Sequence, residues 1–258
     1  MANKKGDNCM KLDNCIAKGD SKRVYVDGDK AIKLFGKGYS KSDVLYEALN
    51  TTRVEDTGLD IPKVLSVSVD DSKWSITSEY VEGKTVAELI KEDSHNADAY
   101  IEKMVDYQIE IHSKKNPLLV KLKDKLSRQI NSLNELDSTT KYELLTRLES
   151  MPKHNKLCHG DFCPENTIAT SSGNLKAVDW IHATQGNASA DAARTYLLLA
   201  LNSQQLADSY LYYFCEKSCT SKPYVQQWLP IVAAAQLEKR KPEEKDLLEK
   251  WLNVVDFD

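Results

Sequence analysis

The chain has 258 residues, 41% of them hydrophobic and 29% charged, which suits one two-lobed globular domain or two small ones. Its formal net charge of −4, without a basic run, gives no electrostatic reason to expect nucleic acid as a partner. No apolar stretch is long enough to predict a membrane span, and the polar N-terminus lacks a secretory signal core, so we expect a cytoplasmic protein with no membrane partner. The six cysteines form no Cys-x-x-Cys pair and no zinc spacing.

The first third of the chain has the patterns of strands. Two hairpins are predicted where alternating apolar residues flank turn-forming ones, Asp27-Gly28 in the first hairpin and Asp70-Asp71-Ser72 in the second. Between them, residues 42–55 predict a helix. The sequence therefore predicts a small antiparallel sheet with one helix, which we assign to an N-terminal nucleotide-binding lobe of residues 1–82.

From residue 83 onward the hydrophobic period becomes helical. Ile101, Val105 and Ile109 recur every four residues, and the wide apolar face of this segment predicts a largely buried helix. Two amphipathic helices are predicted within residues 118–148, and helices resume from about residue 189. We therefore assign residues 83–258 to a mostly helical C-terminal lobe that carries the catalytic and acceptor-binding residues.

One segment of the C-terminal lobe carries most of the chemistry. Residues 159–166 read HGDFCPEN, and a predicted strand follows that ends at Asp179. The loop presents Asp161 and Asn166, and the strand presents Asp179, so two carboxylates and an amide oxygen converge. Such hard oxygen ligands suit Mg²⁺. Phosphoryl transfer needs bound Mg²⁺ together with a carboxylate that meets the attacking hydroxyl.

This pattern, His-Gly-Asp-x-x-x-x-Asn followed by apolar-Asp-Trp, resembles the catalytic loop and metal motif of the aminoglycoside phosphotransferase family. The resemblance implies an α+β, protein-kinase-like two-lobe fold, with a small antiparallel β-sheet and one helix in the N-lobe and a larger, mostly α-helical C-lobe. It implies that Asp161 is the catalytic base and that Asn166 and Asp179 hold Mg²⁺. It also implies that His159 braces the loop by hydrogen bonds.

The resemblance extends to a nucleotide site in the N-terminal lobe. Strand alternation puts Ala31 and Lys33 on the same face of a predicted strand. By resemblance, Ala31 lines the adenine pocket and Lys33 reaches the phosphates of ATP or GTP. Glu47, on the following helix, resembles the family glutamate that pairs with this lysine.

Two further segments complete the implied nucleotide site. Gly19 and Ser21 stand where the phosphate-covering loop is expected, and backbone amides there would hold phosphate together with the Ser21 hydroxyl. The Glu79 carbonyl and the Val81 amide stand in the lobe connection and would hydrogen-bond adenine. No Walker A or Gly-x-Gly-x-x-Gly sequence is present, so the assignment of Gly19 and Ser21 depends on position alone, while that of Glu79 and Val81 is implied by the resemblance.

Two other classes of protein compete with this interpretation. Protein kinases of the usual kind carry His-Arg-Asp and a long segment after the metal aspartate. Here Gly160 replaces the arginine, and a helix is predicted soon after Asp179. A non-catalytic nucleotide-binding protein would have lost the lysine, the catalytic aspartate or the metal aspartate, and all three are present.

The acceptor and the oligomeric state are left open by the sequence. Aminoglycosides are the first acceptors to consider, and a metabolite such as choline, homoserine or a sugar is the alternative. The acidic residues near the C-terminus would suit a cationic acceptor. However, they interleave with basic residues, Lys239 among them, which favours a solvated helix face with i,i+4 pairs. Asp191 is predicted either to hydrogen-bond the catalytic loop or to cap a helix.

Overall fold

The computed structural model describes residues 14–19 and 21–252. By their contacts the described residues divide into two units. The first comprises the residues up to Ala48 together with Pro62–Val81, and the second comprises Leu49–Ile61 and the residues from Glu82 onward.

The first unit is built on a five-stranded antiparallel sheet with the strand order β1-β2-β3-β5-β4. Its strands are β1 (Cys15–Lys18), β2 (Lys22–Asp27), β3 (Lys30–Phe35), β4 (Val64–Asp70) and β5 (Lys73–Glu79). Helix α1 (Lys41–Glu55) begins in this unit and packs Val44 against Phe35 and Ile76 of the sheet. The structure confirms both predicted hairpins and the helix. Strand β1 was not predicted, because its four residues are all exposed and show no apolar alternation.

The second unit is mostly helical, as predicted. Its described helices are α2 (Val86–Glu92), α3 (Ala97–Ser113), α4 (Leu122–Ser132), α5 (Ser138–Ser150), α6 (Ala188–Ala200), α7 (Gln204–Ser218), α8 (Lys222–Gln226), α9 (Leu229–Leu237) and α10 (Pro242–Leu252). Its described strands are β6 (Gly83–Thr85), β7 (Lys156–Cys158), β8 (Thr167–Thr170), β9 (Leu175–Ala177) and β10 (Thr184–Gly186). They form a β6-β8-β9 sheet and a β7-β10 pair, both antiparallel.

The hydrophobic core of the second unit explains why its helices pack as they do. Ile101, Met104 and Val105 of α3 are fully buried, which confirms the predicted burial of this helix. Helix α9 is apolar at every position but Gln236, and all nine of its residues are buried. A helix that is hydrophobic all round belongs at the centre of a helical unit, because no face of it can be given to water. No described helix is both long and apolar enough to cross a membrane.

Two short connections place the functional side chains. The β8-β9 hairpin holds the segments on either side of it in register, so that Val178 N donates to Asn166 O at 2.9 Å. Asn187 caps α6 by accepting from Ser189 N, and this fixes where α6 begins. The first turns of α6 then face the loop that follows β7, which carries the HGDFCPEN sequence.

Candidate active site

The catalytic loop depends on Gly160. Its φ of +80° lies in the left-handed region, and a Cβ at this position would be 2.6 Å from the His182 carbonyl oxygen. A side chain there would be strained by the backbone angle and would also collide with backbone. The arginine that usual protein kinases carry at this position therefore does not fit the loop as it is folded.

His159 braces the loop as predicted. Its buried Nε2 donates to Val178 O at 3.1 Å, and its Nδ1 accepts from Asp161 N at 3.2 Å. The ring packs against Trp180 with 4.3 Å between ring centroids. Burial lowers the pKa of His159, and the neutral ring links the backbone just after β9 to the backbone of Asp161.

Asp191 hydrogen-bonds the catalytic loop, which decides between the two predicted roles, since Asn187 is the cap of α6. Its carboxylate accepts from Gly160 N at 2.7 Å and from His159 N at 3.1 Å. His112 Nε2 lies 3.0 Å from the same carboxylate. Burial alone would raise the pKa of Asp191, but the hydrogen bond from His112 and the loop amide of Gly160 hold it below its ordinary value.

The carboxylate of Asp161 lies at the end of this braced loop and is surrounded by cations. Arg194 Nη2 is 3.2 Å and Lys239 Nζ is 3.3 Å from its Oδ1. Burial would raise the pKa of Asp161, but the positive charges of Arg194 and Lys239 outweigh burial and hold it well below its ordinary range. Asp161 is therefore ionised at every physiological pH and can accept a hydrogen bond from a hydroxyl.

Asn166 and Asp179 are the predicted magnesium ligands, and Asn166 contacts Asp161. Asn166 uses its Nδ2 to donate to Asp161 O at 2.9 Å, so its Oδ1 is the atom left to act as a ligand. Asp179 has a left-handed backbone with φ of 65°, which is uncommon for a residue with a side chain and occurs often at functional sites. Among the described residues no group of three His, Cys, Asp or Glu could hold a metal. Mg²⁺ needs no such group, because it takes most of its ligands from phosphate and water.

The first unit brings Lys33 and Glu47 together, as predicted. Lys33 Nζ forms a short ion pair with Glu47 Oε1 across β3 and α1. Glu47 is buried, and its other oxygen accepts from Lys22 Nζ at 3.0 Å. Lys22 was not predicted here, because a lysine at the start of a strand carries no sequence signal for an ion pair with a distant helix. Ala31 lies two residues before Lys33 on β3 and is partly buried.

The remaining predicted nucleotide residues lie at the ends of strands. Gly19 and Ser21 connect β1 to β2, and their backbones bond Lys22 O at 2.9 Å and Gly36 N at 2.8 Å. Glu79 ends β5 and donates its amide to Lys63 O, while Tyr80 donates to Asp29 O. Two amides of the segment that ends at Val81 are thus used within the sheet. The nucleotide roles of Gly19, Ser21, Ala31, Glu79 and Val81 stay predictions.

Three cationic residues at the site were missed by the sequence analysis. The interpretation of Lys239 as part of a solvated helix face was wrong, since it lies between α9 and α10 and reaches Asp161. Arg194 could have been found, because it follows Asp191 by one helical turn and so shares its face. Lys125 of α4 carries no such signal. Its Nζ donates to the carbonyl of His182 at 3.1 Å, and only the tertiary fold brings it there.

Comparison with known proteins supports the kinase interpretation of this geometry. No curated protein sequence matches the chain at a significant level. Several solved structures share its fold. An apo thermostable mutant of aminoglycoside phosphotransferase APH(4)-Ia has a TM-score of 0.70 at 14% identity, covering 93% of this chain and 92% of that one. A ternary complex of a mutant of the same enzyme with ADP and hygromycin B has a TM-score of 0.67 at 14% identity, covering 92% and 89%.

A choline kinase also shares the fold. LicA from Streptococcus pneumoniae has a TM-score of 0.57 at 17% identity, covering 92% of this chain and 91% of that one. These likenesses confirm the predicted kinase-like fold. The sequence profile of the family described as "Phosphotransferase enzyme family" matches residues 16–228. Its members transfer phosphoryl groups to hydroxyl acceptors, and this 258-residue chain belongs to that family.

Proposed function

We propose that this enzyme transfers the γ-phosphoryl group of a nucleoside triphosphate to a hydroxyl of a small molecule, in a magnesium-dependent reaction centred on Asp161. One observation carries the proposal. Asp161 is an ionised carboxylate at the end of a loop held by His159 and Asp191, with Asn166 bonded to its backbone. A carboxylate so fixed, with oxygen ligands beside it, fits the needs of phosphoryl transfer.

In this proposal each residue acts on a stated atom. The acceptor oxygen forms a bond to the γ-phosphorus as the bond from that phosphorus to the β–γ bridging oxygen breaks, and the nucleoside diphosphate leaves. Asp161 accepts the hydroxyl proton and then releases it to solvent, as its low pKa favours. Asn166 and Asp179 would hold Mg²⁺, which supplies positive charge to the phosphate oxygens.

The donor is proposed to be ATP or GTP held by the first unit. Lys33, fixed by the buried Glu47, is placed to bind phosphate oxygens in the way that the corresponding lysine does in kinases. The APH(4)-Ia ternary structure contains ADP together with hygromycin B. That complex supports a nucleotide donor and a small hydroxyl-bearing acceptor for this chain.

A small acceptor is favoured over a peptide by the segment after Asp179. Residues 180–187 are taken up by a short 3₁₀ turn, Trp180–His182, and by strand β10. Strand β10 is paired with β7, and helix α6 begins directly afterwards. Only Ala183 and Asn187 of this segment lie outside these elements, and Asn187 caps α6, so the segment is too short to order an extended peptide. An aminoglycoside or a small metabolite remains as the acceptor.

The test is ADP or GDP formation by purified enzyme with Mg²⁺ across a panel of aminoglycosides and hydroxylated metabolites. We expect turnover with at least one small acceptor, and loss of that turnover on chelation of the metal. Labelling of protein substrates from [γ-³²P]ATP, with a silent small-molecule panel, would contradict the proposal.

A further inference from the structure

Three cationic side chains lie around Asp161 in the second unit. Arg194 of α6, Lys239 after α9 and Lys125 of α4 converge from three separate parts of the second unit. Arg194 and Lys239 both contact Asp161 Oδ1. Arg194 also donates its Nε to Gly160 O at 3.3 Å. Lys125 is next to this pair, since Arg194 and Lys239 both act on its ionisation.

The ammonium group of Lys125 is hydrogen-bonded to uncharged groups. Its Nζ bonds His182 Nδ1 at 3.2 Å and the His182 carbonyl at 3.1 Å. Both partners are uncharged, because burial and the nearby Lys125 lower the pKa of His182 to about 3. Burial, together with the charge of Arg194, lowers the pKa of Lys125 itself to about 8. A partly buried ammonium held by neutral partners is costly unless an anion joins it.

The carboxylates that form ion pairs with these cations are fewer than the cations. Asp161 is the one that Arg194 and Lys239 contact. Asp191 is buried, and its oxygens already accept from the loop amides and from His112. Arg194 and Lys239 therefore share one carboxylate, and the hydrogen bonds of Lys125 go to the neutral His182. Three cations with one shared ion-pair partner, Asp179 being assigned to the proposed metal ion, indicate a site for an anion.

The two carboxylate oxygens of Asp161 have different neighbours, and this indicates which ligand the three cations would contact. Oδ2 lies 3.4 Å from Nδ2 of Asn166, one of the proposed metal ligands. Oδ1 faces Arg194 and Lys239. An acceptor hydroxyl must reach this carboxylate. If it approaches at Oδ1, the rest of the acceptor lies against the cations.

We propose that the acceptor is an anionic hydroxyl compound, whose carboxylate or phosphate group is bound by Arg194, Lys239 and Lys125 while its hydroxyl meets Asp161. This inference depends on the proposed function, and it narrows the acceptor class. A polycationic aminoglycoside would instead place ammonium groups among three cations, where like charges disfavour binding. The chain therefore binds an acceptor of the opposite charge from that of an aminoglycoside.

The test measures binding and does not require turnover, so that failure of the kinase proposal can be told apart from failure of this one. Enzyme saturated with Mg²⁺ and ADP is titrated in a calorimeter with D-glycerate, glycerol 3-phosphate, glycerol and kanamycin. We expect at least one of the two anions to bind at least tenfold more tightly than glycerol, and kanamycin to bind more weakly than that anion. Glycerate and glycerol 3-phosphate separate a carboxylate from a phosphate preference.

Variants of the cationic residues then test whether these residues bind the anionic group. Lys239→Gln and Arg194→Gln should each weaken anion binding at least tenfold and leave the affinity for ADP unchanged. Lys239 is partly exposed, so its variant should fold even if the Arg194 variant does not. Lys245→Gln, at an exposed lysine of α10 paired with Glu249, is the matched control and should change neither affinity. Equal or absent binding of the four probes would overturn the proposal. It would also be overturned if the variants lost affinity for ADP alone, because the cations would then serve the donor phosphates.

Discussion

At the scale of single residues, the fixed position of Asp161 depends on a side chain that does not touch it. Asp191 accepts hydrogen bonds from two consecutive loop amides, those of His159 and Gly160. His112 Nε2 and Gln108 Nε2 add two more contacts, at 3.0 and 3.2 Å. His159, His112 and Gln108 are buried and Gly160 is half-buried, and this one carboxylate is the acceptor for both loop amides. Asp191 is in this sense the anchor of the catalytic loop.

Asp191→Ala should therefore lower both stability and activity. Leaving a buried donor without an acceptor costs about 1–3 kcal/mol, and two loop amides would lose theirs. We expect the free energy of unfolding to fall by about 3 kcal/mol, measured by urea denaturation. Asp208→Ala, at an exposed aspartate of α7, is the control and should change stability little. An Asp191 variant as stable as the control would show that the loop does not depend on this carboxylate.

The ionisation of Lys125 should appear in the pH dependence of acceptor use. Its pKa of about 8 is set by burial and by Arg194 and Lys239, against the opposing charges of Asp161 and Asp191. His182, its direct partner, stays neutral above its own pKa of about 3. A lysine is charged below its pKa, so the affinity for an anionic acceptor should fall as the pH rises through about 8.

The measurement is KM for the acceptor between pH 6.5 and 9.5, which should rise several-fold across this interval in the wild type. Lys125→Met should have a raised KM at low pH and should not show this transition. The KM for the nucleotide serves as the internal control. A transition that persists in Lys125→Met would assign it to another group.

At the scale of elements, the catalytic loop owes its shape to its close approach to the turn that contains His182. Gly160 and Gly173 offer a matched pair for testing this. Their φ angles are +80° and +83°, but a Cβ at Gly160 meets the His182 backbone while one at Gly173 meets nothing within 4 Å. The two positions therefore share the backbone strain and differ in the collision.

Gly173→Ala should cost only the strain of a left-handed alanine, about 1–2 kcal/mol of unfolding free energy, with kcat unchanged. Gly160→Ala should cost more and should also lower kcat, because the loop must move away from His182. Unfolding free energies and kcat of both variants test this. Equal effects of the two variants would mean that the close approach is not required.

The Lys33–Glu47 pair links β3 to α1 and should behave as one unit. In a double-mutant cycle of Lys33→Met and Glu47→Gln, we expect a coupling energy of about 1 kcal/mol in activity, since contacting residues are not additive. Lys30→Met, at an exposed lysine on the same strand, should be additive with Glu47→Gln. Strict additivity for Lys33 as well would mean that the pair makes no joint contribution to activity.

The elements also show which features can be read from a sequence. The two hairpins, helix α3 and the HGDFCPEN loop were predictable, because turn residues, hydrophobic period and motif spacing are local signals. Strand β1 and the cations Lys22, Lys125 and Lys239 were not. Their positions result from pairing and packing between distant segments, and nothing in the neighbouring residues distinguishes them from solvated lysines. The sequence therefore did not predict the cations of the proposed acceptor site.

At the scale of the whole molecule, family membership and site geometry lead to the same chemistry. The profile match establishes a phosphotransferase, and the structural neighbours establish the fold at 14–17% identity. At an identity this low, the acceptor of a neighbour cannot be assigned to this chain. The choice of acceptor therefore depends on the residues of this chain, and the cations around Asp161 favour an anionic one.

The most direct test of the account compares wild type with Asp161→Asn in two measurements on the same preparations. One is phosphoryl transfer to a small acceptor under single-turnover conditions, and the other is binding of Mg·ATP by calorimetry. Asparagine keeps the size of the side chain and removes its charge and its ability to take a proton. The account predicts unchanged or slightly tighter nucleotide binding, with transfer slowed by a factor on the order of a hundred or more. Transfer at the wild-type rate in Asp161→Asn would contradict it.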